Sequence, residues 1–261
     1  MPLLLTVDIG NTNTVLGVHD GAKLKVHWRL TTRREQTADE YGILVRNLFA
    51  ASGVSPHELG GVAIASVVPP LTPVLEALAR TYLGRRPFVV EPGVETGMPI
   101  LYEPPGDVGA DRIVNGVAAF AAFGGPVIVV DFGTATTLDV VTRQGEYAGG
   151  VICPGIGISA DALFQRAARL PRVEVRNPGR TIGRSTITSI QSGLYFGYAS
   201  MVEGIIGRIR SELGESARVV ATGGLAETLA ADMPSIEAVD PVLTLTGLRL
   251  IWERNQPKPH A

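Results

Sequence analysis

A ten-residue segment of this chain occurs twice. Thr6-Val7-Asp8-Ile9-Gly10-Asn11-Thr12-Asn13-Thr14-Val15 returns as Val129-Val130-Asp131-Phe132-Gly133-Thr134-Ala135-Thr136-Thr137-Leu138, 123 residues later in a chain of 261. An offset close to half the length reads as a duplicated structural unit. Each copy has the pattern of a buried strand, then Asp-x-Gly, then small hydroxyl or amide residues, then a second strand. Asp20-Gly21 and Gln144-Gly145 each turn the chain into a third strand, Lys23 to Leu30 and Glu146 to Ile152. Strands joined this tightly run antiparallel.

Helices and strands alternate after each strand trio. In the first half, Thr37-x-x-Glu40 is a capping box that opens a helix through about Phe49. Gly61 to Val67 reads as a strand, Leu71 to Leu83 as a helix and Pro87 to Val90 as a strand. In the second half, Ile158 to Leu170 and Thr186 to Leu213 read as helices, and Arg218 to Ala221 as a strand. Helices over Leu225 to Ala231 and Thr244 to Glu253 follow. Glu91 to Gly109, rich in proline and glycine, reads as the connection between halves. The expected fold is α/β, two similar β-β-β-α-β-α domains with mixed sheets, over residues 1–108 and 109–261.

Composition narrows the function. The chain is 45% hydrophobic and 18% charged, with net charge −2, which excludes wholesale disorder. That balance argues against nucleic acid as the main partner, because phosphate-backbone binding needs a basic face. The single Cys153 excludes a disulfide framework and a cysteine-rich metal site. Lysine occurs only at 23, 25 and 258, and no Gly-Lys-Ser/Thr is present, which excludes a Walker-type loop. Met1 to Leu5 reaches Asp8 too soon for a signal peptide. Gly124-Gly125-Pro126 cuts the apolar run from Ile113 to Val130 into pieces too short for a membrane span. A cytoplasmic protein without membrane partners is expected, with Asn255 to Ala261 a frayed tail.

The repeated turns suit anions. Glycine permits close backbone approach, and successive N–H groups in a turn can form an anion-binding nest. Asn11, Thr12, Asn13 and Thr14 add side-chain donors. An aspartate ending a buried strand beside such a turn can hold Mg²⁺ directly or through water. Taken alone, the motif is equally an ordinary Asn/Gly turn with Asp8 as a local cap. A second copy allows the two turns to hold a nucleoside triphosphate from both sides. A third element, Val219-Val220-Ala221-Thr222-Gly223-Gly224, is a strand ending in paired glycines where a flat base or ribose could lie.

Three such elements in this order resemble the actin, sugar-kinase and heat-shock ATPase superfamily, of ribonuclease H-like fold, which binds ATP in an interdomain cleft. Gly109-Ala110-Asp111-Arg112 after Tyr102-x-x-Pro-Pro, the Asp131 to Thr137 segment, Gly149-Gly150-x-x-x-Pro154-Gly155, Ile182-Gly183-x-Ser185-Thr186 and Gln191-Ser192-Gly193 look like type III pantothenate kinase. The resemblance runs from Asp8 to Gly224. It implies phosphorylation of pantothenate to 4'-phosphopantothenate with ATP as co-substrate, the entry step to coenzyme A. By position, Asp8, Ile9, Gly10, Asn11, Thr12, Asn13, Thr14, Val15 and Thr134 would contact ATP, with Asp8 near Mg²⁺. Asp111 would be the catalytic base, and Tyr102, Gly109, Ala110, Arg112 and Thr186 would hold pantothenate with it. Asp131 would bind the monovalent cation, K⁺ or ammonium. The family often has Asn before the threonine at 186, where this chain has Ser185. The resemblance also implies a homodimer, and Gly193, Gly197, Ser200 and Gly204 would allow close packing of their helix in the core or across an interface.

The residues are consistent with that chemistry. Phosphoryl transfer needs positioning and charge neutralisation, and a carboxylate can take the attacking hydroxyl's proton. Arginine recognises a carboxylate bidentately, as Arg112 would here. The plainer readings are Asp111 as a helix-start aspartate and Arg112 as a solvated surface residue. His19, His27, His57 and His260 lack metal-ligand spacing. A phosphatase or another small-molecule kinase shares the Asp-x-Gly turns, and a non-catalytic nucleotide-binding regulator is the third reading. Tyr102 and Gly109 to Arg112 favour pantothenate, and the presence of Asp8, Asp111 and Asp131 ranks the regulator last.

Overall fold

Both halves build the same sheet. The computed structural model describes residues 2–257, so His260 and the end of the tail lie outside it. The first sheet contains β1 (Leu3–Ile9), β2 (Asn13–Asp20), β3 (Lys23–Thr31), β4 (Leu59–Ser66) and β5 (Pro87–Val89). The second contains β6 (Val127–Phe132), β7 (Ala135–Val141), β8 (Tyr147–Pro154), β9 (Arg218–Thr222) and β10 (Ala238–Val239). Their orders, β3-β2-β1-β4-β5 and β8-β7-β6-β9-β10, are one topology. In each, the strand trio is antiparallel and the next pairing is parallel, so both sheets are mixed. The two-residue β10 is too short to leave a periodic signal, and the sequence reading omits it.

The helices follow the expected pattern with shifted ends. They are α1 (Ala38–Ala51), α2 (Thr72–Tyr82), α3 (Ala110–Phe123), α4 (Ile156–Arg166), α5 (Thr186–Leu213), α6 (Ala226–Ala230) and α7 (Leu243–Arg254). Thr37 and Glu40 form the reciprocal capping box at α1. α4 stops a turn short of the expected Leu170. Pro171 disfavours helical geometry in the residue before it, and Leu170 turns into the core instead. Two compact units emerge, one from residues up to Ala118 together with Leu243 onward, the other Ala119–Val242. No described helix is long and apolar enough to cross a membrane.

In the first unit the central strand β1 is covered on both faces, as a strand with a parallel neighbour requires. Leu5, Val7 and Ile9 pack with Tyr41, Val45 and Phe49 of α1 and Leu75 and Leu78 of α2. α7 lies against β1, β2 and β4. Three glycines receive it at near-contact distance, and one of its own, Gly247, meets α3 in the same way. A β-carbon on Gly17 would stand 2.7 Å from Leu245, on Gly61 2.6 Å from Trp252, and on Gly247 2.1 Å from the Val114 carbonyl oxygen. Gly97 accommodates the Arg254 guanidinium in the same way. In the second unit Ile128, Val130, Phe132 and Leu138 pack with Tyr195, Val202 and Ile206 of α5.

Under α7, His19 is 2% exposed. Thr6 Oγ1 donates to the Gly17 carbonyl at 3.1 Å, so at 3.1 Å it accepts from His19 Nε2. Burial first, then the Arg249 charge, pushes the His19 imidazole down to about 4. The folded state therefore holds this ring neutral while the unfolded chain protonates it near 6.5. The stability so contributed is complete above pH 6.5 and is lost as pH falls toward 4. Urea denaturation across that window should show His19→Gln losing less stability than the parent. The expected difference is on the order of 2 kcal/mol after discounting for polar surroundings.

Candidate active site

The two repeated aspartates end the central strands at matching positions. Asp8 aligns with Val15 of β2 and Ala65 of β4, and Asp131 with Thr137 of β7 and Thr222 of β9. These are carboxyl ends of parallel-paired strands, where open α/β sheets place their ligands.

Each turn is closed by its glycine. Gly10 N donates to Asn13 O at 3.0 Å and Gly133 N to Ala135 O at 3.0 Å. The glycine N–H is consumed inside the turn, which corrects the simple nest picture. Donors for an anion must come from the residues that follow it. In the first turn, Asn11 and Thr12 are exposed and Asn13 is half-buried. Two residues that the repeat did not single out hold this turn in shape. Thr32 Oγ1 donates to Gly10 O at 2.8 Å and lies 2.9 Å from Thr14 Oγ1, while Arg34 donates to Asn11 Oδ1 at 3.2 Å. Sequence spacing carries no sign of them, because they stand in the loop just past the neighbouring edge strand β3.

Asp111 sits at the same end of this unit. Val67 N donates to Ile9 O at 3.0 Å, which ties the exit of β4 to the exit of β1. A β-carbon on Gly109 would stand 3.5 Å from Val67 Cγ1 and 2.6 Å from Asp111 Oδ1. The Asp111 carboxylate thus folds back over Gly109, beside the exits of β1 and β4. Its Oδ1 also accepts from Arg112 N at 2.8 Å, so the helix-start role is real and coexists with this placement. Arg112 is 9% exposed, which overturns the reading of a solvated surface arginine. Tyr102 is half-buried in the loop before α3, and Ala110 opens that helix.

In the second unit, the glycine-rich exit of β9 meets the second turn. A β-carbon on Gly223, at φ 94°, would fall 2.4 Å from Asp131 Oδ1 and 2.7 Å from the Phe132 backbone. One on Gly155 would fall 2.2 Å from Thr134 O, and Gly155 N donates to that oxygen at 3.1 Å. Asp131, Thr134, Gly155 and Gly223 therefore form one constellation. Thr186 opens α5 and lines an apolar groove of about 500 Å³ with Leu163, Leu170, Ile190 and Leu194. Ser185 is the N-cap of that helix, accepting from Thr188 N at 3.2 Å. Serine and asparagine are comparable N-caps, so the departure at 185 leaves the helix start intact. Cys153 is half-buried on β8 opposite Thr136, in keeping with packing.

Among the described residues, no group of three or more His, Cys, Asp or Glu could hold a metal ion. Magnesium in phosphoryl-transfer sites needs only one or two carboxylates, because water and substrate phosphates complete its shell. Asp8 fits that requirement. Asp131 Oδ1 stands 2.4 Å from where a Gly223 β-carbon would be, so this carboxylate lies directly against glycine backbone.

This architecture is shared with solved structures at low identity. A Baf family protein from Campylobacter jejuni superposes with a TM-score of 0.60 at 20% identity, over 96% of this chain and 98% of its own. An inorganic polyphosphate/ATP-glucomannokinase from Arthrobacter gives a TM-score of 0.50 at 15% identity, over 98% and 100%. The fold is that of the actin-like ATPases and sugar kinases. Residues 4–208 match the family model for type III pantothenate kinase. A type III pantothenate kinase from Koribacter versatilis is 54% identical over 97% of this chain and 96% of its own. The chain belongs to the type III pantothenate kinase family.

The Gly223 contact is testable by itself. Gly223→Ala combines a left-handed backbone with a collision against backbone atoms. Urea unfolding should show a loss of roughly 2–4 kcal/mol, whereas Gly53→Ala, which meets nothing at φ 65°, should cost clearly less.

Proposed function

We propose that Asp111 is the general base in the ATP-dependent phosphorylation of pantothenate to 4'-phosphopantothenate, the first step of coenzyme A biosynthesis. The observation that carries this reading is the Asp111 carboxylate folded over Gly109, beside the strand exits from which the Asp8–Val15 turn springs. The primary hydroxyl of pantothenate attacks the γ-phosphorus of ATP, the carboxylate takes its proton, and ADP leaves with the bridging oxygen's electron pair. Asp8, Ile9, Gly10, Asn11, Thr12, Asn13, Thr14, Val15 and Thr134 bind ATP. Arg112 pairs with the substrate carboxylate, with Tyr102, Gly109, Ala110 and Thr186 completing the pantothenate contacts. Asp8 would hold Mg²⁺ and Asp131 a monovalent cation, K⁺ or ammonium. These ions supply charge neutralisation at the phosphates. Cytoplasmic residence without nucleic-acid or membrane partners completes the reading.

A homodimer is part of the proposal. Among the described residues, nothing lies within 4 Å of a would-be β-carbon on Gly193, Gly197 or Gly204 of α5. Ile182, at 83% exposure, and Ile187, at 50%, add apolar surface at the start of that helix. Light scattering should return twice the 27.5 kDa chain mass. A monomer at working concentration would remove the dimer from the proposal.

Coupled ADP release with ATP, Mg²⁺ and pantothenate, with and without K⁺, tests the chemistry. Turnover should require pantothenate and rise with K⁺. Asp111→Asn should lower kcat by about 10²–10⁴-fold. Gly109→Ala should move the flexible end of Asp111 while sparing the fold, so kcat should fall by roughly 10²-fold at a Tm near the parent's. Retained turnover in Asp111→Asn would refute the base. ATP turnover that ignores pantothenate would point to a phosphatase or another kinase, and nucleotide binding without turnover to a regulator.

A further inference from the structure

Helix α3 carries Asp111 and Arg112 in its first turn, and its position fixes theirs. Its first half, through Ala118, belongs to the first unit and its remainder to the second. In the second unit it is keyed by Phe120, whose ring stands 2.7 Å from a would-be β-carbon on Gly145. In the first unit its seat is α7. Gly247 brings the α7 backbone against the Val114 carbonyl, where a β-carbon would stand 2.1 Å away. Beside that contact, Thr244 Oγ1 donates to Asn115 Oδ1 at 2.7 Å, joining residues 129 positions apart. Asn115 is 1% exposed. It lies four residues after Asp111 and three after Arg112, so the three side chains share one helix face.

α7 is itself held hard against the sheet by Gly17, Gly61 and Gly97, which receive Leu245, Trp252 and Arg254. Asn255 Nδ2 adds a bond to Glu95 O at 2.9 Å. A rigid path therefore runs from the sheet that bears the Asp8 turn, through α7, to one buried hydrogen bond a single helical turn from Asp111. Backbone contact at Gly247 sets the distance between the helices. A directional bond at 2.7 Å opposes sliding of one along the other.

We propose that Thr244 is a positioning residue for the reaction, fixing the register of α3 through Asn115 and so the reach of Asp111. The inference rests on the reading of Asp111 as base. Thr244→Val keeps the β-branched shape and removes the donor, Thr244→Ser keeps the donor, and Thr244→Cys is a second, weaker donor of similar size should the valine variant fail to fold. The expected result is a kcat about 10-fold lower in Thr244→Val, an unchanged ATP Kd, a Tm close to the parent's, and recovery of kcat in Thr244→Ser. Thr244→Cys should fall between the two. In an Asp111→Asn background, Thr244→Val should add little further loss, because both changes act through one carboxylate.

A folded Thr244→Val, or Thr244→Cys in its place, with parental kcat would overturn the proposal. So would loss that serine fails to restore, or full additivity with Asp111→Asn. Retained activity in Asp111→Asn alone would instead strike the base reading, so the two failures are distinguishable.

Discussion

Three oxygen atoms lie where β-carbons would otherwise stand. Asp111 Oδ1 is 2.6 Å from that position on Gly109, Asp131 Oδ1 is 2.4 Å from it on Gly223, and the Thr134 carbonyl oxygen is 2.2 Å from it on Gly155. At these three positions the absence of a side chain lets a charged or polar oxygen sit against backbone. Close approach of this kind fixes a carboxylate without spending one of its hydrogen bonds. It also explains why the glycines fall where they do. They follow the carboxylates in space, and two of the three are distant from them in sequence.

Much of this was legible in the sequence because the repeat constrains it. Asp-x-Gly at the end of an apolar strand, met twice, specifies an antiparallel hairpin twice, and the alternating segments that follow specify the parallel pairings. The capping box at Thr37 and the helix from Thr186 to Leu213 were readable residue by residue, since side-chain capping and a left-handed Gly214 mark the ends chemically. The candidate residues Asp8, Gly109, Asp111 and Asp131 could be named from their motifs.

The rest depended on contacts between distant segments, which no local pattern encodes. The last helix is amphipathic on any reading, but its seat on β1, β2 and β4 is set by glycines as far back as Gly17. Thr32 supports the first turn from a residue just past β3, and Arg112 is buried although its residue type favours solvent. The repeat points to a nest of successive N–H groups in each turn, whereas those of Gly10 and Gly133 close the turns. That distinction turns on the direction of one bond, which identity and spacing do not report.

The two units share a topology and differ where it matters. In register, Ser66 of the first unit stands where Gly223 stands in the second, one residue beyond the partner of the strand-end aspartate. Ser66 turns its hydroxyl to its own loop, donating to Val68 O at 3.3 Å, so Asp8 has no backbone cradle matching the one beside Asp131. The turn after Asp8 exposes Asn11 and Thr12. Asp131 is pressed against the Gly223 backbone. Duplication supplied two equivalent strand ends, and a serine-for-glycine difference at one register position gives the two aspartates different surroundings.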